Sequence, residues 1–462
     1  MSLVHFISMI FYSIFFGFKL NMDIIKNILF IRSHRKPDIA SIFIENFDYL
    51  KLFNSRLEYS LSDYKYRQIN LSFQTIKHSI WINSIQFFTI LVYASSIIWP
   101  KNDYIVSLQQ FEQTFEVQRF DLVVITLVMM FCVFQCFWLY SFKKVISYQC
   151  SLTDCCVVNS SPTINNRFCP KFRLFLLNFY SMTKSIAFII IRAYFVTYST
   201  LYIVFVYNCI KIYQKNEVTL IQMIITFPGF FITIIFATYV MSQIAIITNF
   251  LIFIMLFIEL QLKQLFLSTE TMLKIKQKQQ KLKLFRATNA LIWNRFQSKY
   301  VRLYAETSKL NQTTSTHFAV DEFLSKSSII LGVIFYSQQT FMNLNSYFCV
   351  IAFMVIFCFT SGLYSRASRL PSYNQRCVRS IFVGIARSQM NTSTKIIDPD
   401  RINHSIISRY LIRLNLFTTI MTNNQFGFSC GRFFFITKFR YIQLLILNFL
   451  LLIKFYKRIC LK

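Results

Sequence analysis

Apolar stretches long enough to form membrane helices alternate with basic segments along this chain of 462 residues. A helix needs ~20 mostly apolar residues to cross the ~30 Å hydrocarbon core of a bilayer. Seven stretches reach or approach that length: 81–99, 122–142, 185–209, 218–260, two within 327–364, and 433–455. The pattern therefore predicts an all-α polytopic membrane protein with seven transmembrane helices.

The lengths of some stretches leave their interpretation open. The fourth stretch, 218–260, is long enough for two crossings, or for one helix that kinks near Pro228 and continues into the cytosol. The fifth and sixth spans are expected to divide near Asn343 and Asn345. A further apolar stretch, 4–18, is short for a span. We interpret it as an interfacial or buried segment, with a cleaved signal peptide as the alternative.

Basic residues favour one side of the predicted membrane. Successive segments outside the spans, starting at the N-terminus, contain 10, 2, 6, 2, 12, 0 and 10 Lys and Arg residues. Because cationic loops stay in the cytoplasm, this alternation predicts a cytoplasmic N-terminus and an extracellular C-terminus. Lys457, Arg458 and Lys462 are the exception, since they would lie outside. Five glycosylation sequons all fall on predicted cytosolic segments, at Asn70, Asn159, Asn311, Asn391 and Asn403.

This topology divides the chain into seven regions. They are, in order, a cytoplasmic N-terminal segment (1–80), spans one to four (81–260), a long basic cytoplasmic loop (261–326), spans five and six (327–364), a cytoplasmic loop with an anchor helix (365–432), the seventh span as the pore-helix candidate (433–455) and a short extracellular tail (456–462). Apolar residues recur at helical spacing in the long loop, which predicts amphipathic helices there. These residues are Leu282, Phe285, Ile292, Phe296, Tyr300 and Leu303.

Composition supports the membrane interpretation and excludes several other classes. Hydrophobic residues make up 55% of the chain and charged residues only 15%, which is unlike a soluble enzyme or a disordered chain. A net charge of +30 would suggest nucleic acid in a soluble protein. Here we interpret it as a topology signal and expect membrane lipid, not nucleic acid, as a partner. The basic stretch 273–284 is also compatible with calmodulin or anionic lipid.

The chain lacks the usual signatures of catalysis and of bound cofactors. Its five His include no His-x-x-x-His pair, and its seven Gly form no phosphate-binding cluster. We therefore expect no enzyme activity, no catalytic residues and no cofactor. Four cysteines share one predicted loop without a Cys-x-x-Cys pair, so reduced thiols are favoured over a metal site. They are Cys150, Cys155, Cys156 and Cys169.

The C-terminal region resembles the arthropod gustatory receptor family. The resemblance lies in the runs 410–417 (YLIRLNLF) and 425–434 (QFGFSCGRFF), and in a last apolar helix that ends at 451–455 (LLIKF). The segment 302–311 (RLYAETSKLN) is also similar to the part of the family that precedes the fifth span. The closing motif departs from the family at three positions: Lys454 replaces Gln, Asn448 replaces Tyr and Leu447 replaces Thr.

The resemblance implies a ligand-gated, non-selective cation channel of four subunits, identical or mixed, in the plasma membrane and opened by a small-molecule tastant. It implies that the end of the seventh span lines the pore, over Leu451, Leu452, Ile453, Lys454 and Phe455. The first three are candidates for a hydrophobic gate, because apolar constrictions block ions by dewetting. Four copies of Lys454 would repel cations. This residue therefore turns away from the axis, or the selectivity differs, or the assembly is mixed.

Three tyrosines on the third and fourth spans are candidates for the ligand pocket, because aromatic rings with hydroxyl groups suit small ligands. They are Tyr198, Tyr202 and Tyr239. Simple packing is the alternative for all three. An insect odorant receptor subunit, a transporter and a receptor coupled to a cytosolic partner are the competing functions. A transporter is expected to carry internal repeats and acidic residues near mid-membrane, whereas Asp121 and Glu259 lie at span edges.

Overall fold

The computed structural model describes residues 38–53, 59–69, 120–214, 220–278, 284–339, 344–393 and 401–460, with isolated positions between 76 and 94. Over these residues the chain is almost entirely helical, with one two-stranded hairpin. The predicted all-α class is therefore confirmed. The stretch 4–18 and most of the predicted first span, 81–99, lie outside the described residues.

The helices follow one another with short connections. They are α1 (Ile39–Phe53), α2 (Leu61–Tyr66), α3 (Phe120–Ile146), α4 (Ser151–Asn159), α5 (Pro170–Gln214), α6 (Leu220–Lys278), α7 (Leu284–Ser337), α8 (Leu344–Ala367), α9 (Arg369–Ser393), α10 (Arg401–Asn423) and α11 (Lys438–Cys460). A 3-10 helix, Pro162–Arg167, precedes α5. The antiparallel strands β1 (Ser429–Cys430) and β2 (Phe434–Phe435) connect α10 to α11.

Two helices in the described part of the chain are long and apolar enough to cross a membrane. They are Pro170–Tyr207, within α5, and Phe230–Ser268, within α6. The first is mostly exposed and the second mostly buried. On α5 the exposed side chains include Ile189, Val196 and Ile203, which gives this helix an apolar outer face. Such a face is typical of a helix that contacts lipid or another protein.

Helix α6 runs unbroken for 59 residues, through Pro228 and on to Lys278. Of the two interpretations left open for 218–260, the structure therefore shows the single helix. At 1.5 Å per residue it is about 90 Å long, roughly three times the thickness of a hydrocarbon core. Much of α6 must consequently extend beyond any bilayer that it crosses.

Aromatic side chains dominate the core where α1 meets α6. The Phe43 ring lies 5.5 Å from Phe253 and 5.2 Å from Phe257, both in edge-to-face geometry. Phe168, which precedes α5, contacts Phe257 at 5.3 Å. Such pairs contribute about 0.5–1.5 kcal/mol each beyond the area that they bury. The many Phe residues of the sequence are thus used for packing.

A second aromatic cluster joins α7 to α9 and α10. Phe296, Tyr300 and Leu303 are buried on one face of α7. The Tyr300 hydroxyl donates a hydrogen bond to Asn374 Oδ1 at 2.9 Å, and Asn374 Nδ2 donates to the Met421 carbonyl at 3.2 Å. The amphipathic helix predicted in the long loop is confirmed for these three residues.

Candidate functional site

The hairpin at residues 424–437 corresponds to the motif 425–434 found in the sequence, and it depends on two glycines. Gly431 has φ +54°, a left-handed conformation that favours glycine, and a Cβ there would lie 3.2 Å from Ala319 Cβ. Gly427 has φ +153°, and its Cβ would lie 2.9 Å from the Phe435 ring. The Gly431 N–H donates to the Ser315 carbonyl at 2.8 Å. The hairpin is therefore seated directly on α7.

Asn311 fixes β1 to the middle of α7. Its Oδ1 accepts a hydrogen bond from the Ser429 N–H at 2.8 Å, and its Nδ2 lies 3.2 Å from Ser429 Oγ. From α8, the Tyr364 hydroxyl donates to the Phe318 carbonyl at 3.1 Å and lies 3.1 Å from Cys430 Sγ. Residues about 118 positions apart are thereby joined, and the direction in which α11 begins is set by α7 and α8.

Two of the sequon asparagines are engaged in packing. Asn311 holds Ser429, as above, and Asn159 is buried with its Nδ2 donating to the Cys155 carbonyl at 2.9 Å. A glycan on either amide nitrogen would displace these contacts. The folded arrangement of α4 and α7 is therefore incompatible with glycosylation at Asn159 or Asn311.

The last helix, α11, packs against α7 and α8 on one side. It begins at Lys438, so residues 433–437 of the predicted seventh span are not helical. Asn448 is buried, and its Oδ1 has no hydrogen-bond partner in the described part of the chain. A buried amide oxygen without a partner is destabilising. The position that distinguishes this chain from the family motif is thus a polar group inside the helix packing.

An apolar stripe covers another face of α11, and it is exposed. Its side chains are Phe439, Ile442, Ile446, Phe449 and Ile453, each more than half exposed. Their spacing of three, four, three and four residues is the repeat by which helices pack against one another in coiled coils. We call these five residues the α11 stripe. It continues the predicted pore-helix segment towards its N-terminal end.

The structure distributes the predicted gate residues around α11. Ile453 belongs to the α11 stripe and is 57% exposed, whereas Leu451 is half-buried. Two residues on an α-helix differ by about 200° of rotation, so these two lie on nearly opposite sides. Leu452, Lys454 and Phe455 have a helical backbone, but their side chains lie outside the described residues.

The three candidate pocket tyrosines lie in separate contacts. Tyr202 stacks on Phe230 at 6.2 Å, and Tyr198 stacks on Tyr194 of its own helix at 5.9 Å. Tyr239 is buried in a cluster that includes Tyr49 of α1. A cavity of about 50 Å³ lies between α3, α6 and α7, and none of the three tyrosines lines it. Their role as a pocket stays a prediction.

The cysteines of the predicted loop are packing residues in and beside α4. Cys150, Cys155 and Cys156 are buried. Burial raises the pKa of the Cys155 thiol to about 12, so at neutral pH it is a protonated thiol and not a thiolate ligand. No three His, Cys, Asp or Glu residues within the described ranges are placed to share a metal ion.

The chain matches no protein-family model and no curated protein.

Proposed function

We propose that this chain is one subunit of a four-subunit, ligand-gated, non-selective cation channel in the plasma membrane, opened by small-molecule tastants. In this proposal it has seven transmembrane helices, a cytoplasmic N-terminus and an extracellular C-terminus, and it is not an enzyme. Two arguments from the sequence support the proposal, namely the alternation of basic loops and the resemblance of the C-terminal motifs to gustatory receptors.

The observation that carries the proposal is the α11 stripe. A single chain leaves five large apolar side chains exposed along one face of its last helix. Four copies related by a closed rotation would bring four such faces together and cover them. The helices would then surround a central axis. The spacing of the stripe suits helix–helix contact along its whole length.

Within that assembly Ile453 is the best candidate for the hydrophobic gate, because it lies in line with the α11 stripe. The backbone of Lys454 is rotated by about 100° from that of Ile453. Of the three explanations for Lys454, this rotation favours the one in which the residue turns away from the axis. Cation permeation then needs no mixed assembly.

Voltage clamp of cells that express the chain tests the channel proposal. A panel of sugars and bitter compounds should evoke cation current without added G-protein. Ile453→Ser should produce current without ligand, because a polar residue allows water to enter an apolar constriction. Val196→Ser, on the exposed face of α5, is the matched control and should keep the wild-type response. Surface-labelled Ile453→Ser chains that carry no current would contradict the proposal.

A further inference from the structure

The cavity between α3, α6 and α7 has aliphatic walls and one polar end. Six aliphatic side chains from the three helices form most of its lining, among them Val133, Ile244 and Leu324. The polar lining consists of Thr248, His317 and Asp321. A volume of about 50 Å³ exceeds the ~10–15 Å³ that one water molecule requires. The cavity therefore has room for a small ligand with an apolar body and one polar head.

His317 contributes a hydrogen-bond acceptor to this polar end. Its Nδ1 lies 3.0 Å from the Thr313 carbonyl, which can only accept, so Nδ1 carries the proton of the neutral ring. The lone pair is then on Nε2. Burial lowers the pKa of His317 to about 4, so the ring is neutral at physiological pH. His317 therefore contributes no positive charge to the cavity.

Asp321 contributes a carboxyl group one helical turn after His317, on the same face of α7. It has no hydrogen-bond or ion-pair partner among the residues that the structure describes. The lysine on the same helix is engaged elsewhere, since Lys326 Nζ lies 3.0 Å from Glu322 Oε1. Desolvation and the neighbouring Glu322 raise the pKa of Asp321 to about 7.

The other titratable groups near Asp321 supply no positive charge. Tyr364 on α8 and Cys430 on β1 face this region and are neutral at pH 7 because burial raises the pKa of the Cys430 thiol and the phenol of Tyr364 ordinarily titrates near 10. The cavity lining contributed by α3 and α6 contains no charged side chain. A buried carboxylate without a cationic partner is unfavourable, so a ligand that supplies the charge would be held strongly.

We propose that this cavity binds a small aliphatic amine in its protonated form, with the ammonium group against Asp321 and the alkyl group among the aliphatic walls. An ammonium group supplies one positive charge and three donors, which suits a carboxylate and the acceptor of His317. A metal ion fits poorly, because Ca²⁺ and Mg²⁺ require several oxygen ligands and most of this wall is hydrocarbon.

Binding of this kind depends on pH in a defined direction. Below pH 7 the carboxyl of Asp321 is increasingly protonated and loses its attraction for a cation, whereas an aliphatic amine stays protonated. The affinity should therefore fall about tenfold per pH unit below 7 and level off above pH 8. A neutral ligand of the same shape should show no such change.

The cavity lies next to the contacts that hold the hairpin. Ser315 and Phe318, which contact the hairpin and α8, alternate along α7 with His317 and Asp321. An amine in the cavity would therefore act on the helix from which α11 begins. This coupling to the gate rests on the proposed channel function, whereas the binding of the amine does not.

Titration of the purified full-length chain in nanodiscs with isobutylamine tests the proposal, with isobutanol as the neutral probe of matched shape. Ligand-observed NMR of the methyl groups gives both affinities without any ion current. We expect the amine to bind at least tenfold more tightly than the alcohol at pH 8. Asp321→Asn should remove that difference. Glu322→Gln, the adjacent carboxyl paired with Lys326, should preserve it.

Equal binding of the amine to the wild type and to folded Asp321→Asn would overturn the proposal, as would an equal preference for isobutanol. If the variant does not fold, the wild type alone decides between pH 5.5 and 8. An affinity for isobutylamine that does not rise over that range contradicts the site. A silent channel with a bound amine would leave the site intact and would reject only the proposed function.

Discussion

At the scale of single residues, three polar side chains in the core of α7 and α11 have different consequences for stability. Tyr300 is satisfied by Asn374, whereas Asn448 Oδ1 and the Asp321 carboxyl have no hydrogen-bond partner among the described residues. A satisfied buried hydrogen bond adds about 1 kcal/mol of stability, and a buried group left without a partner costs about 1–3 kcal/mol. The three residues therefore call for opposite predictions.

Tyr300→Phe should lower the free energy of unfolding by about 1–2 kcal/mol, because Asn374 Oδ1 then loses its donor. Thermal unfolding of the purified chain, followed by tryptophan fluorescence, measures the change. Tyr336→Phe is the matched control, since this tyrosine is exposed on the same helix. An equal effect of the two substitutions would show that the Tyr300 hydroxyl contributes nothing specific.

Asn448→Leu should raise the free energy of unfolding by about 1–3 kcal/mol, because it removes a buried amide oxygen without a partner and keeps a similar volume. The same unfolding measurement applies. A loss of stability would mean that the amide has a partner in the assembled protein, such as a residue of another subunit.

Asp321 should make the stability of the chain depend on pH. Its pKa in the folded chain is about 7, above the ~3.9 of an unfolded chain, so the folded state binds more protons between those values. Stability contributed through Asp321 therefore falls as the pH rises from 4 to 7. Asp321→Asn should unfold at a higher temperature than the wild type at pH 8, with the difference vanishing near pH 4. A difference independent of pH would contradict this.

At the scale of elements, the last helix is defined by what holds it and by what it leaves uncovered. The hairpin attaches its start to α7 through Asn311 and Gly431, which fixes its direction. The α11 stripe faces away from α7 and α8. The helix is thus rigidly mounted in one chain and complete only with a partner, which is the arrangement that the tetramer proposal needs.

Phe449→Cys should form disulfide-linked dimers on mild oxidation in membranes, because copies of the α11 stripe meet in the proposed tetramer. Non-reducing electrophoresis detects the product. Val196→Cys on α5 is equally exposed but lies off the stripe, and it should give no more than the background of the parent chain, which has exposed cysteines at 132 and 136. Equal cross-linking at both positions would contradict assembly through α11.

At the scale of the whole molecule, the proposed topology places both α4 and the middle of α7 in the cytosol. A tag at the N-terminus should be hidden from antibody in intact cells, and a tag at the C-terminus should be accessible. Endoglycosidase should leave the mobility of the chain unchanged, because Asn159 and Asn311 are engaged in packing and all five sequons lie on cytosolic segments. A glycan at Asn311 would reverse the orientation and end the channel proposal.

The sequence by itself determined the helical class and several local features, because these depend on patterns that repeat over a few residues. Long apolar stretches predicted helices, and the spacing of Phe296, Tyr300 and Leu303 predicted their common buried face. The motif 425–434 indicated a special segment, although nothing in it identified a hairpin. Pro228 suggested a kink, and the sequence could not tell one helix from two at that position.

Only the tertiary structure decided which residues meet across the chain. Asn311 and Ser429 lie 118 positions apart, and no periodicity relates them. The cavity is assembled from α3, α6 and α7, so His317 and Asp321 looked like ordinary polar residues of a basic loop until those helices enclosed them. Burial changes what a carboxyl does, since it removes the water that would stabilise the charge. Burial is a property of packing, and for that reason the sequence did not reveal the site.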